Sequence, residues 1–245
     1  MKVTLIRLDG WRSAMTAAYC CVSTGMARDP TPRSLLKAVR SGHLSILEHV
    51  TATFTIEGIS RACSHQLVRH RLASYAQQSQ RYVDMKGFGY TTPKSIAECG
   101  SELYAGDDGD GNPIEVSMAE VYDDFMKEAS HVYETLVANG IPEEDARYVL
   151  PNACTTNLVV TMNLRELSHF LGLRRCARAQ DEIRALADEM ARQVRHRLAF
   201  TESMDRATRT AEDWALWSSL LEPQCVRLGY CPEEDGCGRF GRKEA

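Results

Sequence analysis

The sequence predicts an α+β fold, and three observations carry that prediction. VTATFTIEG places Val50, Ala52, Phe54 and Ile56 in alternation with Thr51, Thr53, Thr55 and Glu57, the period of a half-buried strand. From about Gln180, the residues Ile183, Leu186, Met190, Val194 and Leu198 recur at spacings of three and four, which gives one apolar helix face. Strands and long helices follow one another without strict βα alternation, the mixture of an α+β chain.

In chain order, residues 2–8 read as a short strand and RSAMTAAYCCV as a helix ended by STG. SLLKAVRSG gives a second helix, with Gly42 at its C-terminus. The strand over Val50–Gly58 comes next. A helix over residues 60–71 follows, with Ser60 as its N-cap. LASYAQQSQRYVD reads as a loop entering a strand, and residues 104–116 as a turn-rich loop. A long helix runs from about Ser117 to Ala138 and stops at Asn139-Gly140, and a short one starts at Pro142. TTNLVVTM is β-branched and extended, NLRELSHFLGLR helical, and residues 211–221 form a last helix. The division expected is a domain over 1–220 and a cysteine-containing tail over 221–245.

With 245 residues, 44% hydrophobic and 25% charged, the chain can bury a sizeable core. A net charge of −4 leaves anion binding to local arginine clusters. No run approaches the ~18 apolar residues of a membrane span, and MKVTLIRLDGW lacks the apolar centre of a signal peptide. A cytoplasmic location is expected, with nine cysteines read as free thiols or metal ligands.

The word VRHRLA occurs twice, at 68–73 and 194–199. The second copy ends the amphipathic helix, where outward cations suit the helix dipole, and a structural role suffices. The first copy precedes an irregular polar stretch, and Arg69, His70, Arg71, Ser79 and Arg81 fall within thirteen residues with few acids among them. If 79–81 is extended, Ser79 and Arg81 share a side. Guanidinium forks, a hydroxyl and backbone N–H groups suit a phosphate.

Arg69-His70-Arg71, seven residues, then Ser79 resembles the RHR-x7-S signature of the flavin-dependent thymidylate synthases, and QLVRHRLASYAQQSQRYV around it is similar to that family. The resemblance extends over roughly 1–215, through GHLSILEHVTATFTIEGISRA, DARYVLP and NLRELSHFLGLR. It implies a central, mostly antiparallel sheet flanked by long helices and an intertwined homotetramer with sites at subunit junctions. It also implies FAD, dUMP as substrate, 5,10-methylenetetrahydrofolate as carbon donor and NADPH as reductant. By resemblance Gln66, Arg69, Gln77, Ser79, Gln80, Arg81, Arg147 and Arg174 are nucleotide positions. His43, Ser45, Arg69, His70, Arg71, Asn163, His169 and Arg178 are flavin positions. Three departures stand out: Gln77 where an acid is frequent, His169 where asparagine is frequent, and Arg178 where a histidine is expected.

Methylating C5 of a uracil requires a nucleophilic carbon. No cysteine is marked for addition at C6, with Cys63 on the helix before the signature and Cys176 outside it. A cation at pyrimidine O2 is the other route, and Arg174 is the candidate. Ser79 is read as a hydrogen-bonding ligand, a nucleophile being the alternative. No GxGxxG follows a strand.

Cys225, Cys231 and Cys237 form C-x5-C-x5-C, with Cys176 a possible fourth ligand of a structural zinc. Free thiols in a loose tail are the favoured reading, so no metal is expected. DDGDGNP fits a calcium loop poorly, and Glu48-His49 and His65/His70 suit packing better than metal. Trp214 and Trp217 read as core. The rivals are a related flavin- and folate-dependent methyltransferase of another pyrimidine, and a nucleic-acid-binding module using the basic cluster. The net charge and the lack of a binding motif oppose the second.

Overall fold

The computed structural model describes residues 1–25, 31–99, 104–107, 113–200, 211–233 and 236–241. The elements are β1 (Lys2–Asp9), α1 (Trp11–Cys20), α2 (Pro32–Arg40), a 3-10 turn (Leu44–His49), β2 (Thr51–Ser60), α3 (Arg61–Leu67) and β3 (Ala73–Gln77). Then come α4 (Lys94–Ala97), β4 (Tyr104–Asp107), β5 (Pro113–Val116), α5 (Met118–Ala138), α6 (Glu143–Ala146) and a 3-10 turn (Arg147–Val149). The chain continues with β6 (Thr155–Asn163), α7 (Leu164–Arg174), α8 (Asp181–Phe200), α9 (Ala211–Ser219) and α10 (Gln224–Leu228). One sheet has the strand order β1-β2-β6-β3, and β4 and β5 form an antiparallel pair. None of the described helices is long and apolar enough to cross a membrane.

Two compact units divide the chain. The first is 1–56, 67–76 and 159–245, and the second is 57–66 and 77–158.

In the first unit the alternation of β2 settles its register: Val50, Ala52, Phe54 and Ile56 are fully buried. Burying a side chain such as Phe54 or Ile56 contributes about 1.5–3 kcal/mol. Across the sheet the Thr53 and Thr161 hydroxyls bond at 2.9 Å. α8 buries Ile183, Leu186, Met190, Val194 and Leu198, the stripe its spacing predicted. The second VRHRLA therefore turns Arg195 outward, where it pairs with Glu222 at 2.6 Å. Trp217 is buried edge-on against Trp11, with centroids 5.4 Å apart. Gly10 starts α1 at φ +96, and a Cβ there would fall 2.0 Å from the His49 carbonyl oxygen.

The second unit packs Met85, Phe88, Met126, Ala129, Tyr133, Ala146 and Cys154 together. Its long helix α5 opens on a capping box. The Ser117 hydroxyl accepts from the Glu120 N–H at 3.2 Å, and the Glu120 carboxylate accepts from the Ser117 N–H at 2.8 Å. Gly140, at φ +83, follows the helix end.

Five local readings change. α3 ends at Leu67, so Arg69-His70-Arg71 lies beyond the helix; Ser60 does cap it, accepting from the Cys63 N–H at 2.9 Å. The strand after the RHR triplet is 73–77, and Ser79 begins a turn closed by the Val83 N–H on the Ser79 carbonyl at 3.1 Å. Ser79 and Arg81 are therefore related by a turn and not by an extended pleat. The 104–116 stretch is a hairpin, its Tyr104 opposite Val116; Gly and Asp at its centre hid two four-residue strands. Residues 108–112, where the calcium reading fell, lie outside the described residues. Pro142 sits just before α6 rather than in it, and the tail contains α10, too short to show periodicity.

Candidate functional site

The first unit builds a buried relay at the signature. Past α3 the residues alternate: Arg69 and Arg71 are exposed, and His70 is buried. Tyr75, on β3, sends its hydroxyl back to the carbonyls of Leu67 and His70, each at 2.9 Å, and so holds this segment in place. Burial, then the nearness of Glu166, pushes the Tyr75 phenol up to about 12, so it stays a donor.

His70 Nε2 accepts from Arg174 Nε at 3.1 Å, and His70 Nδ1 meets Glu166 Oε1 at 3.3 Å. Arginine remains protonated, so Nε2 carries the lone pair and Nδ1–H donates to the carboxylate. Burial first, then Arg174 and His169, brings the His70 pKa down to about 4. Burial also raises Glu166, and Phe170 packs edge-on against His70 at 5.0 Å. Only 6% of His70 is exposed, so it reaches the site through Arg174 and not with its own ring. No described hydrogen bond uses the two Nη groups of Arg174.

α7 supplies Glu166, His169, Phe170 and Arg174, and Asn163 caps it, accepting from the Glu166 N–H at 2.8 Å. The flavin candidate Asn163 thus spends its oxygen on the helix. Alongside α7 runs a cleft of about 320 Å3, lined by Leu44, Leu47, Arg165, His169, Gln224 and Arg227 among others. It brings His169 together with the 3-10 turn that bears Ser45, both His43 and Ser45 being exposed. The tail residues in that wall were not legible in the sequence. Arg227 donates to the Ser168 hydroxyl at 2.9 Å and lies where a Cβ on residue 172 would stand. Arg178 is exposed and pairs with Glu233 at 3.0 Å.

The second unit gathers cations around Glu144. Arg81 grips its Oε2 with Nε at 3.0 Å and Nη2 at 2.7 Å, and the hydrogen bond to Glu144 raises the guanidinium further. Arg147 donates from Nε to the Glu144 carbonyl at 3.0 Å. Two arginines far apart in sequence thus meet at one residue. Arg61, which sequence reasoning missed, stands close enough that burial and then Arg147 lower its pKa. The Ser79 hydroxyl accepts from the Arg81 N–H at 3.2 Å, and no described acid or histidine bonds to it.

Gln77 is engaged by the protein: its amide donates to the Ser64 and Thr156 hydroxyls at 3.0 and 3.3 Å. Those neighbours accept from an amide, which accounts for glutamine at this position. Gln66 and Gln80 are half-buried. Cys154 is fully buried, and burial pushes its thiol up to about 12, away from the thiolate a nucleophile needs. Cys63 is fully buried as well.

The family described as thymidylate synthase complementing protein matches residues 7–198. Flavin-dependent thymidylate synthase of Geobacter sulfurreducens is 48% identical over 194 residues, 74% of this chain and 75% of that protein. The enzyme of the same name from Pyrococcus furiosus is 40% identical over 242 residues, covering 96% and 86%. A crystal structure of the UMP/dUMP methylase PolB from Streptomyces cacaoi bound with 5-Br dUMP shares the fold, with a TM-score of 0.63 at 24% identity over 89% of this chain and 94% of that one. The middle residue of the RHR triplet is held against Arg174, and with a family match over residues 7–198 and relatives at 40–48% identity, the chain belongs to the flavin-dependent thymidylate synthases.

Proposed function

We propose that this flavin-dependent thymidylate synthase converts dUMP to dTMP by reductive methylation, with 5,10-methylenetetrahydrofolate as carbon donor and NADPH as reductant, in a homotetramer whose protomers complete one another's sites. The observation that carries the reading is Arg174 held by a neutral His70, with both Nη groups left for a ligand among the described residues.

Arg174 brings a guanidinium to the site. Set at pyrimidine O2, it stabilises the negative charge that builds as C5 becomes nucleophilic, the work of an oxyanion hole. His70 fixes its orientation without adding charge, and Glu166 fixes His70. Arg81 and Arg147 take the phosphate, Arg81 exchanging the Glu144 carboxylate for the phosphate oxygens. Ser79, with Gln66, Arg69 and Gln80, completes the nucleotide contacts, and Gln77 braces Ser64 and Thr156 beneath them. Ser79 acts as a ligand, since an unassisted hydroxyl is a weak nucleophile.

The cleft beside α7 suits a flavin: Leu44 and Leu47 offer apolar wall, and His169, Arg165 and Gln224 offer donors. When bound there, FAD supplies the hydride. His43, Ser45, Arg71, Asn163, His169 and Arg178 hold and orient it, with Arg69 shared between the two ligands and His70 acting through Arg174. The charge of Arg178 offsets a reduced, anionic ring.

The test is direct. Purified protein should be yellow, NADPH should bleach it, and C5-labelled dUMP should release its label when the folate and NADPH are supplied. Arg174→Ala should stay yellow and lose label release. Colourless protein, or label release undiminished in Arg174→Ala, would defeat the reading.

A further inference from the structure

Four cysteines at the end of α7 and in the tail take no part in the chemistry above. Cys176 follows α7, Cys225 lies on α10, and Cys231 and Cys237 lie beyond it. All four carry free thiols. Cys176, Cys225 and Cys231 line one small cavity of about 20 Å3. The backbone next to Cys237 passes close by: a Cβ on its neighbour Gly236 would stand 2.9 Å from the Cys231 sulfur. The backbone is arranged to do this. Gly229 turns the chain at φ +75, the Cys231 N–H donates to the Gly241 carbonyl at 2.9 Å, and Glu233 pairs with Arg178 at 3.0 Å.

We infer that Cys176, Cys225, Cys231 and Cys237 are the ligands of a structural zinc ion that ties the tail to the C-terminal end of α7. Four thiolates with no position kept open form the donor set of a structural site, and soft sulfur favours zinc over magnesium or calcium. The cavity is about the size needed for a single small occupant. Among the described residues no three His, Cys, Asp or Glu side chains already stand as close as a metal requires. Binding therefore draws the sulfurs inward to about 2.3 Å from the ion and releases their protons. The ion fixes the segment two residues beyond Arg174, so it acts as a positioning element outside the reaction, and the inference does not depend on the substrate.

The experiment is elemental analysis of the full chain purified without chelator, with zinc release followed by a chromogenic chelator as an organomercurial titrates the thiols. About one zinc per chain is expected, released as the thiols react, and Cys225→Ser with Cys231→Ser should lower the content at least tenfold. If those variants fail to fold, cobalt loading of the wild type decides: the visible bands of a tetrahedral thiolate complex are expected. Folded, reduced wild type that holds less than about a tenth of an equivalent after incubation with zinc overturns the inference. So does a cobalt spectrum of six-coordinate type, or a disulfide among the four cysteines in protein purified under reducing conditions.

Discussion

His70 accepts from Arg174, at 3.1 Å, with the one ring nitrogen that Glu166 leaves without a proton. The pair therefore supplies a single positive charge, carried entirely by the arginine. Arg174→Ala should lower turnover by ~10²–10³, the usual cost of removing one donor at a developing anion. His70→Ala should cost less, on the order of tenfold, because Arg174 remains but loses its aim. Steady-state kinetics with saturating dUMP would read both, and equal losses would refute the division of labour.

The same ring sets a pH dependence of stability. The His70 pKa falls from 6.5 to about 4 on folding, so the unfolded chain binds the extra proton between those values. Its contribution is complete above pH 6.5 and is lost as pH falls towards 4, amounting to about 3 kcal/mol at most. Glu166, raised by burial, works in the opposite sense and trims the slope. Urea midpoints from pH 4 to 7 should rise more steeply for wild type than for His70→Gln, and parallel slopes would refute the assignment.

Glu144 occupies the fork that Arg81 needs for phosphate. Glu144→Gln should tighten dUMP binding by a few-fold, and Arg81→Ala should weaken it by about tenfold or more. Calorimetric titration with dUMP at two salt concentrations would separate these cases. Unchanged affinity in Glu144→Gln would mean that the carboxylate does not compete.

Gly10 has no room for a side chain, since a Cβ would meet the His49 carbonyl and φ is positive. Gly10→Ala should destabilise the fold by more than about 1 kcal/mol, read as a lower denaturation midpoint. Gly42→Ala shares the positive φ but meets nothing within 4 Å, so it should cost less.

Much of the fold was legible because single periods ran unbroken: β2 alternates and α8 repeats its apolar face for its whole length. The 104–116 hairpin was hidden because four-residue strands carry too little periodicity against a Gly- and Asp-rich centre. The signature spacing pointed to Arg69, His70, Arg71 and Ser79, yet it could not say that His70 turns inward while its neighbours face out. That depends on Tyr75 catching two carbonyls, a contact no spacing encodes. Glu144 and Arg61 escaped for a similar reason. An acid beside an arginine in space, though 63 residues away in sequence, leaves no local mark.

The short rod from Leu164 to Arg174 bears the cap Asn163 at its start, Glu166 and His169 along its length, and Arg174 at its last residue. At about 1.5 Å per residue it spans roughly 16 Å without a joint. A change that rolls or slides it moves every one of those groups by a coordinated amount. A single kink in it would therefore misplace the groups at both ends together.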